Sequence, residues 1–195
     1  MRFIGFYDYT VIVTYMSLLS SVLGMVLAVQ ENFTLSIVCM MISGICDAFD
    51  GIIARTKKNR TDDEKTFGIQ IDSLCDVICF GVFPALLCYL MGVDGMLGMI
   101  VIFMYCLCAV IRLAYFNVLE DKRQKNEEGC NKEYRGMPVT SISISLPIVY
   151  CLKFFVSEFV FKNVLHIILL LEAFLFILDF PVKKIDWKKL LINER

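Results

Sequence analysis

Four aspartates fall in two close pairs within otherwise apolar sequence, Asp47 and Asp50 in CDAFDGIIAR and Asp72 and Asp76 in FGIQIDSLCDVICFG. At about 100° of rotation per residue, Asp47, Asp50, Gly51 and Ala54 lie within roughly 100° of one another on a helix, and Gly68, Asp72 and Asp76 share a stripe about 80° wide. Each helix therefore presents two carboxylates and at least one small residue on one face. Four carboxylates at one depth in a medium of low dielectric repel one another and are costly to ionise, so something positive must bind among them. Donors that are all oxygen, with no His or Cys in the motif, favour a hard divalent cation such as Mg²⁺ or Mn²⁺, and four aspartates could hold two. Gly51, Ala54 and Gly68 leave a gap between the helices where a bulky ligand can approach the backbone. Simple pairing of the acids with Arg55, Arg112 or lysines is the structural alternative, and small-residue packing is the alternative for Ala54.

Positioning such groups requires helices that cross a membrane. The 195 residues are 58% hydrophobic, with mean hydropathy +0.69, too apolar for a soluble domain of this size and too short for several domains. Uncharged runs cover Tyr9 to Gln30, Asn32 to Cys46, Val77 to Val93, Gly95 to Ile111 and Gly136 to Leu152, and a sixth apolar segment runs from Phe159 to Phe180. Crossing the hydrocarbon takes about 20 mostly apolar residues, so the expectation is an all-α bundle of about six transmembrane helices forming one domain over 1–195. The first run is longer than a signal-peptide core and lacks a small-residue cleavage site, which makes it a retained helix.

Of the 19 Lys and Arg, five lie in Arg55 to Lys65, six in Arg112 to Arg135 and five after Phe180, whereas the alternate connections hold only Lys153 and Lys162. The positive-inside rule then places both termini in the cytosol. A second helix entering near Phe33 carries Asp47 and Asp50 roughly 21 to 26 Å across a core of about 30 Å, and a third returning near Phe67 carries Asp72 and Asp76 about 8 to 14 Å in. Both pairs come to the inner-leaflet side. Seven of the nine cysteines lie in apolar segments at spacings that match no zinc pattern, so they read as small buried hydrophobes, and His166 reads as a packed polar residue.

The string Asp47-x2-Asp50-Gly51-x2-Ala54-Arg55-x12-Gly68-x3-Asp72-x3-Asp76 resembles the signature of the CDP-alcohol phosphatidyltransferases, membrane enzymes that move a phosphatidyl group from a CDP-linked lipid onto an alcohol. Twelve residues separate Arg55 from Gly68 where the family usually has eight, an excess expected to form a longer cytosolic loop over Lys57 to Lys65. VIRLAYFNV (Val110 to Val118) and YRGMPVTS (Tyr134 to Ser141) resemble the bacterial phosphatidylserine synthase branch, in which the first segment ends helix four and the second opens helix five.

The resemblance implies Asp47, Asp50 and Asp72 as metal ligands, and Asp76 as the general base and a further metal contact. It implies Asp47, Gly51, Ala54, Arg55 and Gly68 at the nucleotide of CDP-diacylglycerol, with L-serine as acceptor, CMP as leaving group and a homodimer in the bacterial cytoplasmic membrane. Arg112, Asn117, Arg135 and Thr140 are the candidate acceptor residues. An arginine fork suits the serine carboxylate, while glycerol 3-phosphate or inositol phosphate would want a denser basic cluster. A divalent-cation transporter is the reading from another class, but it should carry polar groups at several depths, and only Glu172 stands near the bilayer middle. Nothing in the sequence points to nucleic acid.

Overall fold

The computed structural model describes residues 5–6, 9–54, 61–125 and 133–183. After a 3-10 turn at Tyr9–Val11 come helices α1 (Ile12–Val29), α2 (Phe33–Ala54), α3 (Asp62–Asp76), α4 (Phe83–Leu90), α5 (Gly95–Lys125), α6 (Ile142–Leu152) and α7 (Glu158–Ile177). A π-helical segment, Val77–Val82, joins α3 to α4 without a break. Two three-residue strands, β1 (Glu133–Arg135) and β2 (Pro181–Lys183), pair antiparallel. Among the described residues, all else that is regular is helical.

Among the described residues five helices are long and apolar enough to cross a membrane, and the third is the joined run Asp62–Leu90. The protein is therefore an integral membrane protein. The segment expected as a further crossing is shorter, Val139–Leu152. Pro138 precedes it, its first turn is 3-10, and Pro147 interrupts its ladder, so the apolar run from Gly136 yields only 11 residues of α-helix.

Two further boundaries differ from expectation. The third crossing starts at Asp62, not near Phe67. Thr61 accepts from the Glu64 N–H at 3.2 Å, and Glu64 accepts from the Thr61 N–H at 2.9 Å. This capping box pulls Asp62 to Lys65 out of the expected loop and into the helix. Nor does Arg112 end its helix. α5 runs 31 residues, about 46 Å at 1.5 Å per residue, so it outruns a core of about 30 Å and continues as a polar helix.

Helix α1 buries its polar and small side chains, Thr14, Ser17, Ser20, Ser21, Gly24 and Ala28, and turns Ile12, Met16, Leu19, Leu23 and Val26 outward. Such inversion is what lipid as solvent selects, because small residues let helices approach and hydroxyls satisfy one another across the seam. The Ser17 and Ser43 hydroxyls lie 2.7 Å apart, Ser21 donates to Ser43 at 2.9 Å, and Ser36 donates to the Gly24 carbonyl at 2.8 Å. A Cβ on Gly24 would collide with the ring of Phe83, which fills the third side of that seam.

The π-helical segment has a local cause. Pro84 offers no N–H to the carbonyl of Phe80 four residues earlier, and its ring would crowd that oxygen. The widened turn relieves the clash, and Tyr105 on α5 donates to the freed Phe80 carbonyl at 2.6 Å. Unsatisfied backbone is expensive away from water, so α5 is tied to the helix that carries Asp72 and Asp76.

Candidate metal and phosphotransfer site

Asp47 and Asp50 lie one turn apart near the end of α2, and Asp72 and Asp76 lie one turn apart at the end of α3. The two helices bring the pairs face to face. The Asp47 and Asp76 carboxyls come within hydrogen-bonding reach of each other, as do those of Asp50 and Asp72. One oxygen each from Asp47, Asp50 and Asp72 falls within 4.8 Å of the others. Asp72 Oδ1 is fully buried with no hydrogen-bond partner.

Carboxylates crowded in this way either share protons or enclose a cation. An all-oxygen donor set with a buried, unsatisfied oxygen fits a hard divalent ion. A Cβ on Gly51 would meet nothing within 4 Å. The space beside Asp50 is open, and packing within the chain does not require the glycine there. Gly68 stands one turn before Asp72 on α3. Arg55 lies outside the described residues, and only the backbones of Ala54 and Arg135 are described.

The structure adds a residue that the sequence reading missed. The hydroxyl of Thr14, buried on α1, donates to Asp50 Oδ2 at 3.4 Å. Thr14 and Asp50 are 36 residues apart, so local spacing could not pair them. The repeat Thr14, Ser17, Ser20, Ser21, Gly24 was the available signal that α1 faces a polar interior.

The candidate acceptor residues lie on separate elements, Arg112 and Asn117 on α5, Arg135 in β1 and Thr140 in the 3-10 turn Val139–Ser141. Arg112 is 9% exposed, and its Nε donates to the Met137 carbonyl at 3.1 Å. That bond commits part of the guanidinium to holding the turn at Gly136–Met137. Gly136 has φ +71°, and a Cβ there would fall 2.9 Å from the Leu178 carbonyl and 3.3 Å from Arg112 Nη1, so only glycine fits. Asn117 Oδ1 accepts from Ser73 at 2.6 Å, which links α5 to the residue after Asp72. The Thr140 carbonyl accepts from Ser143 at 2.7 Å. Glu172 is 2% exposed and faces the bundle. His166 Nδ1 is 2.8 Å from the Lys162 carbonyl, and the eight described cysteines are free thiols.

A polytopic helix bundle holding a carboxylate cluster between two of its crossings defines a membrane protein with an acidic site whose all-oxygen donors fit a hard cation. The chain belongs to the CDP-alcohol phosphatidyltransferase family, whose model matches residues 10–178. It is 31% identical over 137 residues to the archaetidylserine synthase of Methanothermobacter thermautotrophicus, covering 70% of this chain and 54% of that protein. It is also similar to the CDP-diacylglycerol–serine O-phosphatidyltransferases of Saccharomyces cerevisiae, at 32% over 62% of this chain and 42% of that protein, and of Helicobacter pylori, at 39% over 47% and 38%. The chain spans about half the length of the curated relatives it matches first. No solved structure matches it significantly.

Proposed function

We propose that this protein transfers the phosphatidyl group of CDP-diacylglycerol to the hydroxyl of L-serine, giving phosphatidylserine and CMP. The observation that carries the reading is the convergence of three aspartate oxygens within 4.8 Å beside the open face of Gly51. Family membership and the serine named by several relatives support the choice of reaction and acceptor.

Asp47, Asp50 and Asp72 would hold the divalent cation, Mg²⁺ or Mn²⁺, with Asp76 able to join a second. Bound there, the cation supplies positive charge to the diphosphate oxygens and to the departing CMP. The residues of the chain do the rest. Thr14 donates to Asp50 Oδ2 at 3.4 Å, the position an outer partner of a ligand takes. The glycine face at Gly51 and Gly68 admits the nucleotide to the backbone, with Ala54 and Arg55 alongside. Asp76 takes the proton from the serine hydroxyl as its oxygen attacks the β-phosphorus, and the bond from that phosphorus to the CMP oxygen breaks with its electron pair leaving on CMP. Arg112, Asn117, Arg135 and Thr140 form the acceptor side of this reading, in a homodimer of single-domain chains whose cleft opens to the cytosol of the bacterial cytoplasmic membrane.

The test is purified protein supplied with CDP-diacylglycerol and serine, glycerol 3-phosphate or inositol phosphate in turn, with CMP measured. Serine should support release, a chelator should stop it, and Mg²⁺ or Mn²⁺ should restore it. Release with another alcohol and none with serine would reassign the acceptor, and release that survives chelation would remove the metal from the reading.

A further inference from the structure

Glu172 is an ionisable group on α7 with 2% exposure, within a span of mean hydropathy 2.1. A carboxyl in such a place is expensive, and in membrane proteins it marks function more often than packing. Its two oxygens are both used. Oε2 accepts from the Ser141 hydroxyl at 2.9 Å and Oε1 from the Ser145 hydroxyl at 2.6 Å. Ser141 ends the 3-10 turn Val139–Ser141, and Ser145 lies one turn into α6. One side chain of α7 therefore fixes the angle at which that turn feeds the helix.

What the turn touches gives this clamp its meaning. Ser143, between the two clamped serines, sits so close to Gly44 that a Cβ there would collide with its side chain. Gly44 lies one turn before Asp47 on α2. The Val139–Ser141 turn also packs against Val77–Val82, directly after Asp76. The clamped segment is thus wedged between both aspartate-bearing runs, and it carries Thr140. Arg112 holds the preceding Met137 from the other side.

We propose that Glu172 is a positioning residue of the acceptor site, holding the Thr140 turn in register against the two aspartate helices through Ser141 and Ser145. The inference rests on the transferase reading and adds to it the group that sets the acceptor side. A misplacement of about 1 Å can cost as much as about 100-fold in rate, so a loosened turn should be felt chiefly by the small acceptor and much less by a lipid anchored by its diphosphate and tails.

The experiment compares wild type, Glu172→Gln, Glu172→Leu, Ser141→Ala and Ser145→Ala in detergent or nanodiscs, measuring KM for the acceptor and for CDP-diacylglycerol, kcat, thermal midpoint and hydrogen exchange over 139–145. Glu172→Leu should raise the acceptor KM by about tenfold or more, within the range that misplacement allows, and should speed exchange in 139–145. Its KM for CDP-diacylglycerol should move little. Glu172→Gln keeps a side chain that both serines can bond, and it should restore most of the acceptor KM. The serine variants should each give a smaller shift of the same kind, and they keep the proposal decidable if Glu172→Leu does not fold. An unchanged acceptor KM in folded variants, or a lowered midpoint with unchanged KM for both substrates, would overturn the role. Should wild type prove inactive with every alcohol, the transferase reading fails separately, and wild-type-like exchange over 139–145 in Glu172→Leu would then refute the clamp.

Discussion

The two aspartates on α3 are one turn apart yet differ in surroundings, and the difference suggests a division of labour. Asp72 has a buried oxygen with no partner, and it joins Asp47 and Asp50 in the 4.8 Å cluster. Asp76 is outside that cluster and within hydrogen-bonding reach of Asp47. General-base catalysis contributes about 10²–10⁴-fold, so Asp76→Asn should lower kcat by that range while CDP-diacylglycerol binding, measured by nucleotide competition, changes less than about tenfold. Asp72→Asn should lose metal-dependent binding as well as turnover. Thr14 offers a milder test at the same scale. Removing an outer partner of a metal ligand typically costs about 10–100-fold, and Thr14→Val should raise the concentration of Mg²⁺ or Mn²⁺ needed for half-maximal activity by a factor in that range. An unaltered metal dependence would mean that the 3.4 Å contact does not govern Asp50.

Among the elements, the joined run Asp62–Leu90 shows best what the sequence made legible. Its apolar stretch and its aspartate stripe could be read directly from spacing. So could its start, because Thr61-x2-Glu64 is a capping box in plain sequence, although the charged residues around it suggested a loop. The π-helical segment was harder. Pro84 signalled a disturbed ladder, but the carbonyl it frees is satisfied by Tyr105, 25 residues from Phe80, and such a partner is set by packing. The same limit hid Thr14 and the serines that hold Glu172. Tyr105→Phe removes the buried hydroxyl that donates to the Phe80 carbonyl, so it should destabilise by about 1 kcal/mol. Pro84→Ala returns an N–H at the position that serves residue 80 in a regular helix. In the Tyr105→Phe background it should recover part of the loss, a coupling readable as a double-mutant cycle of thermal midpoints. Additive losses would show that the hydroxyl and the proline do not answer each other.

At the scale of the whole molecule, the positions of the aspartates along their helices and the distribution of the charges bear on which way the site faces. Asp47 and Asp50 lie within the last 8 residues of the 22-residue α2, and Asp72 and Asp76 lie 10 to 14 residues into the 29-residue run from Asp62, so the pairs meet between the middle of that run and the end of the bundle where α2 leaves and α3 returns. That connection carries Arg55, Lys57, Lys58 and Arg60, and six more Lys and Arg fall from Arg112 to Arg135. The opposite connections, between α1 and α2 and between α4 and α5, hold neither Lys nor Arg in Gln30–Asn32 or Met91–Asp94. Because positively charged short loops are retained on the cytosolic side, the cleft should open there, and its metal and its acceptor should both be drawn from the cytosol. In sealed inside-out membrane vesicles, an impermeant chelator added to the medium should abolish CMP release, and serine added outside should sustain it. Right-side-out vesicles loaded with serine and metal should ignore the same chelator. If the chelator instead acts on right-side-out vesicles, the site faces the other compartment, and the basic connections mark something other than orientation.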